Sequence, residues 1–109
     1  MVVRGIAMRG AFVGLVIFAP SAAVADAIDG DWCSPTTAEK FSIAGDSITT
    51  PAGTATTGRY TRHAFSYAVP VGDPGAGDKI DMQLLNEEEV RVVVNGGASE
   101  IWHRCDLNV

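Results

Sequence analysis

From Trp32 onward, apolar and polar residues alternate in short runs, and turn residues separate the runs. Successive side chains of a strand point to opposite faces, so this pattern predicts half-buried strands; no stretch sustains the period of an amphipathic helix. Trp32-Cys33 opens the first strand, and Phe41 and Ile43 alternate in the next. Gly45-Asp46 suits a two-residue type II′ hairpin that returns the chain through Ile48-Thr49-Thr50, and Pro51-Ala52-Gly53 turns it again. Thr54 to Val69 is long for one strand. Its apolar parity changes between Tyr60 and Phe65-x-Tyr67-x-Val69, which predicts a bulge or bend near Thr61 to His63. Pro70 to Asp78 reads as a loop, Ile80, Met82 and Leu84 alternate inward, Asn86 to Glu89 turns the chain, and Val90, Val92 and Val94 alternate back. Asn95-Gly96 is a hairpin signal before a last strand from Glu100 to Cys105. The expected fold is all-β, a small antiparallel β-barrel or strongly coiled sheet of about seven short strands.

The first residues follow a different pattern. Arg4 and Arg9 form a cationic start, Ala11 to Ala19 is unbroken apolar sequence, Pro20 ends it, and Ala23-Val24-Ala25 or Ala25-Asp26-Ala27 supplies small residues for cleavage. The expectation is a secretory signal peptide over 1–25, with an alternative cleavage after 27, followed by one β domain over 26–109. The apolar run is far below the roughly 20 residues of a spanning helix, so a periplasmic or secreted product with no membrane insertion after processing is expected.

Export changes the reading of charge and cysteine. Of eight Lys and Arg, Arg4 and Arg9 would be removed, leaving six against thirteen Asp and Glu, a balance of −7 compared with −5 for the whole chain. That acidity argues against nucleic acid as a partner. Cys33 and Cys105 bracket nearly the whole domain, and an even count in an exported chain points to one disulfide. Closing so long a loop is worth about 4 kcal/mol in the chain-entropy picture, a large share of a small domain's stability. A metal site drawn from Cys33, Cys105, His63 and His103 is the competing reading, but the paired spacings of zinc sites are missing.

Gly30-Asp31-Trp32 resembles the G-x-W of the lipocalin-like barrels, and Arg104 on the final strand matches the arginine that packs across that tryptophan in those proteins. The resemblance covers only these residues and implies a structural role, closure of the barrel's bottom. The wider pattern looks like small exported proteobacterial proteins of unassigned function. It comprises Trp32-Cys33, His63-Ala64-Phe65-Ser66-Tyr67, Gly75-Ala76-Gly77 and Ile101-Trp102-His103-Arg104-Cys105, and it implies no activity.

Arg59, Tyr60, Arg62 and His63 form the one basic cluster in an acidic chain, with an aromatic among them. They are the candidate contact residues for an anionic ligand or acidic partner, through bidentate guanidinium bonds, against the plainer reading of a solvated strand face. Pro70 to Lys79 has Asp78, and not lysine, directly after its last glycine and is flanked by strands, unlike a nucleotide-binding loop. The calcium-repeat echo at Gly75 to Ile80 is a single copy where such sites need stacked copies. Glu87, Glu88 and Glu89 are adjacent and read as a solvated turn. No cofactor, metal site or catalytic residue is expected.

The reading is a non-enzymatic exported binding or interaction module of the cell envelope, for a small ligand or an envelope protein, with inhibition among its uses. The alternative from another class is a small periplasmic hydrolase or other enzyme using His63 or His103 as general base. A ligand-binding barrel needs an interior cavity lined by residues such as Phe41, Ile43, Tyr67, Met82 and Val92. Intact-mass measurement of the exported protein is expected to show a chain beginning at Asp26 or Ile28; an uncleaved chain in the membrane fraction would refute the processing assignment.

Overall fold

Alternate side chains along each strand form rows, and antiparallel pairing brings the apolar rows into register around a common interior. The computed structural model describes residues 27–105, so the expected signal peptide lies outside the described residues. Nine strands follow in order: β1 (Gly30–Cys33), β2 (Lys40–Ala44), β3 (Ser47–Thr49), β4 (Ala55–Thr57), β5 (Arg59–Thr61), β6 (Ala64–Ala68), β7 (Lys79–Asn86), β8 (Glu89–Val94) and β9 (Ser99–Arg104). They form one antiparallel sheet in the spatial order β4-β3-β2-β1-β9-β8-β7-β6-β5. The first and last strands are therefore neighbours at its centre. Its two edges, β4 and β5, are consecutive in the chain and separated only by Gly58.

That arrangement makes the sheet a nearly closed barrel. One extended segment pairs with β3 through β4 and with β6 through β5, joining the two edges covalently. Gly58 sits at the crossing, where its N–H donates to the Asp46 carbonyl at 2.9 Å. A Cβ there would lie 2.3 Å from the Ser66 carbonyl oxygen and 2.6 Å from a Phe65 ring carbon, so only glycine allows the segment to approach β6 so closely.

The strand count exceeds the expected seven because the long run from Thr54 to Val69 is three strands. Its parity change comes from a hairpin and not from a bulge: Tyr60 pairs with Phe65 and Thr61 with Ala64, leaving Arg62-His63 as a two-residue turn. A two-residue turn places partners an odd number of positions apart, so the inward positions switch parity across it. The same rule operates at Gly45-Asp46, where Ile43 faces Ile48 and Gly45 takes φ 61°.

Inward rows meet across every major ladder, with Trp32 opposite Phe41, Phe65 opposite Met82, Met82 opposite Val92, and Val90 opposite Trp102. These residues, with Ile28, Ile43, Ile48, Tyr67 and Ile80, form the buried core. A slip of one residue in any ladder would turn a whole row out to solvent, so the pattern itself selects the register. Cys33 and Cys105 are joined by a disulfide with Cα atoms 5.0 Å apart, spanning 72 residues of sequence. Cys33 opposes His103 on β9, so the bond fastens the β1–β9 seam.

Gly58→Ala is expected to lower stability by about 3 kcal/mol, because a methyl group against the Ser66 carbonyl and Phe65 ring must push the strand off its partner. Urea denaturation of the oxidised protein measures this, and an unchanged midpoint would show that closure tolerates a side chain there.

Candidate functional site

The up-and-down path gives the barrel two unlike ends. One collects the chain preceding β1 and the turns at Gly45-Asp46, Arg62-His63 and Glu87-Glu88; the other collects the loops after β1, β3, β6 and β8. The first end is sealed. Ile28 and Trp32 are fully buried, and the Trp32 indole N–H donates to the Ile28 carbonyl at 2.8 Å. Arg104 lies directly opposite Trp32 on β9 and stacks its guanidinium 4.3 Å from the centre of the indole ring. Its fork of donors reaches three carbonyls, those of Asp29 at 2.8 Å, Ala27 at 2.7 Å, and Glu87. Lysine has no planar fork to satisfy that set. Gly30 is required by the same contact, since its φ is 124° and a Cβ would stand 2.6 Å from an Arg104 nitrogen.

The basic cluster is divided between this seal and its rim. Tyr60 turns inward, and its hydroxyl donates to the Asp29 carboxylate, which also accepts the Gly45 N–H at 2.8 Å. Burial works against ionisation of Asp29, yet the bonds from Tyr60, Gly45 and its own backbone, with the nearby Arg104 charge, outweigh it and hold the carboxyl below its ordinary value. The Tyr60 phenol is pushed up by the same bond to Asp29 and by burial. The Arg62 carbonyl accepts the Ile28 N–H at 2.8 Å, and the His63 carbonyl accepts the Leu84 N–H at 2.8 Å. Both residues thus anchor backbone at the sealed end. Arg59 is exposed on β5 and borders a shallow depression with Lys79, away from the interior. His103 is half-exposed on the outer wall, 3.3 Å from a Glu89 carboxylate oxygen.

The opposite end is open. It leads into a cavity of about 450 Å³ whose walls include Phe41, Tyr67, Ile80, Met82, Val92 and Trp102. Ile43 belongs to the packed core beneath. Phe41 and Trp102 meet with ring centroids 5.0 Å apart at 44°. Side-chain bonds hold the mouth in shape. Asp73 accepts hydrogen bonds from the hydroxyls of Thr50 at 2.7 Å and Thr54 at 2.6 Å, tying the loop after β6 to the loop after β3. Asn95 donates to Asp78 at 3.0 Å and accepts the Lys79 N–H at 2.8 Å, tying the same loop to the one after β8. Asn95 has φ 52°, a conformation asparagine tolerates better than most side chains. Burial and the nearby Asp73 charge push the Tyr67 phenol up, so it stays a protonated donor in the wall.

Comparison with known proteins finds no family model, no curated protein and no solved structure that matches the chain. None of Arg59, Tyr60, Arg62, His63 or His103 lines the cavity. Among the described residues, no group of three or more His, Cys, Asp or Glu side chains is placed to hold a metal ion.

Sequence reasoning missed the mouth: Glu39, Asp73, Asp78, Asn95 and Glu100. Glu100 carried a readable signal, because it shares parity with Trp102 and is a charged residue on an inward row, opposite Val92. Asp73 and Asp78 carried none, since a loop aspartate looks the same whether it faces solvent or binds a neighbouring loop.

Asp29→Asn is expected to lower stability by about 1–2 kcal/mol at neutral pH, by weakening charge-assisted bonds in a partly exposed setting. The folded-state pKa is lowered, so the contribution is complete above the ordinary value of 3.8 and is lost as pH falls through the lower folded value. Denaturation midpoints of the two proteins should therefore converge in acid; a gap that persists there would assign the effect to packing.

Proposed function

We propose that this chain is a non-enzymatic exported binding module of the cell envelope that takes a small ligand into the open end of its barrel. One observation carries the reading: an apolar cavity of about 450 Å³ opens at one end while the other is sealed by Trp32, Arg104 and Asp29. A volume of roughly 300–1,000 Å³, apolar walls and a few placed polar groups are the usual form of a small-molecule site. The loops are already tied together at Asp73 and Asp78, so little ordering cost falls on binding. Export rests on the N-terminal sequence and on the disulfide, which belongs to an oxidising compartment. The enzyme alternative draws no support from the cavity, because neither histidine faces it and general-base catalysis needs hydrogen-bond reach to the substrate.

The test is titration with N-phenyl-1-naphthylamine, a neutral apolar fluorophore that brightens when it leaves water. Saturable one-to-one binding is expected, and Val92→Phe, which fills the cavity, should weaken it about tenfold or more by removing apolar volume. Ala98→Trp, placed in a mouth loop, supplies a second obstruction should the core variant lose its fold. Absence of saturable binding, or equal affinity in a folded obstructed variant, would overturn the proposal.

A further inference from the structure

The cavity is apolar inside and acidic at its mouth, and the two properties together specify a class of ligand. Glu39, Asp73, Asp78 and Glu100 contribute to its lining, and no lysine, arginine or histidine does. The nearby basic residues Lys40 and Lys79 begin their strands with side chains on the exposed row, opposite in parity to the inward-facing Phe41 and Ile80. We propose that the cavity selects an amphiphilic organic cation, a molecule with an apolar body and a positively charged amine or quaternary ammonium head. This rests on the cavity being a ligand site.

Three features of the site favour that occupant. The apolar body would replace water against Phe41, Met82 and Val92, which is the main source of affinity for such a pocket. The charged head would then lie at mouth level, where carboxylates surround it. Those carboxylates already accept protein bonds: Asp73 from two threonine hydroxyls, Asp78 from Asn95, and Glu100 from the Trp102 indole N–H at 3.0 Å. A carboxylate has about four acceptor sites, so these bonds orient the groups and leave capacity for a ligand. The rings of Phe41, Tyr67 and Trp102 add negative π-faces to the wall, and ring faces attract ammonium groups even without a hydrogen bond.

The same features disfavour other charges. An anion would bring its charge among four carboxylates with no cation in the lining, and like charges at close range are costly to desolvate. A bare metal ion needs three or more converging ligands, which the rim carboxylates do not form. The chain's overall acidity, a formal charge of −5, adds attraction for cations at long range.

The experiment compares three ligands with one tail: decyltrimethylammonium, decanol and decyl sulfate, each below its micelle concentration, by competition against the naphthylamine probe. At low salt the cation is expected to bind about tenfold tighter than the sulfate, with decanol between them, and added salt should compress the series because the rim charges are near water. Glu39→Gln combined with Glu100→Gln should cut the cation-to-decanol affinity ratio several-fold, with the thermal melt confirming a folded chain. Asp78→Asn is a second variant that keeps an acceptor for Asn95. Equal affinities for the three ligands, tighter binding of the sulfate, or a ratio unmoved in the folded variants would overturn cation selection while leaving the cavity as a ligand site. Failure of all three ligands and of the probe would overturn both.

Discussion

The pairing of β1 with β9 is the seam on which the barrel depends. It joins the two ends of the domain through only two register pairs, Trp32 with Arg104 and Cys33 with His103. An antiparallel seam this short, closing nearly the whole β domain into a ring, carries the full loop-closure entropy with little ladder to offset it. Two devices compensate. The Cys33–Cys105 disulfide removes the entropy from the unfolded chain, and Arg104 binds three carbonyls across the seam and the turns around it. With the seam held, the remaining strands follow as a chain of local hairpins, and the strand from Ala55 to Thr61 completes the ring at Gly58.

The asymmetry of the two ends follows from how polar groups are used. At the sealed end, Asp29, Tyr60, Arg104 and the Trp32 indole bond to one another or to backbone, so burial leaves them partnered and the end can be dry. At the open end, Asp73 and Asp78 bond sideways between loops instead of across the barrel. Their bonds tie neighbouring loops to one another around the opening. The inward row that holds Trp102 ends at the mouth in Glu100, an exposed carboxylate that accepts the Trp102 indole N–H and keeps further acceptor sites open to solvent or a ligand.

Leaving volume unfilled is unusual for a domain this small. Core burial in such a domain leaves only a narrow stability margin, and each unfilled apolar surface forgoes packing that would widen it. The disulfide offsets that loss by about 4 kcal/mol without occupying the interior. The seam and the sealed end thereby hold the barrel closed without occupying its mouth.

The sequence by itself determined the all-β class, the inward rows, the hairpins at Gly45-Asp46 and Asn95-Gly96, and the disulfide. Each depends on local periodicity, turn chemistry or a count of two cysteines. It left the strand boundaries between Thr54 and Val69 wrong, because parity alone cannot separate a bulge from a two-residue turn; Tyr60 facing Phe65 is a fact of pairing. The basic cluster was legible as charge, but its place was not. Tyr60 became part of the seal only because β5 ends beside Asp29, a residue 31 positions earlier in the chain. Apart from the inward parity of Glu100, the acidic mouth was decided by tertiary structure. Glu39, Asp73, Asp78 and Glu100 are scattered along the chain, and only the alternation of loops between the two ends of an up-and-down barrel brings them around one opening.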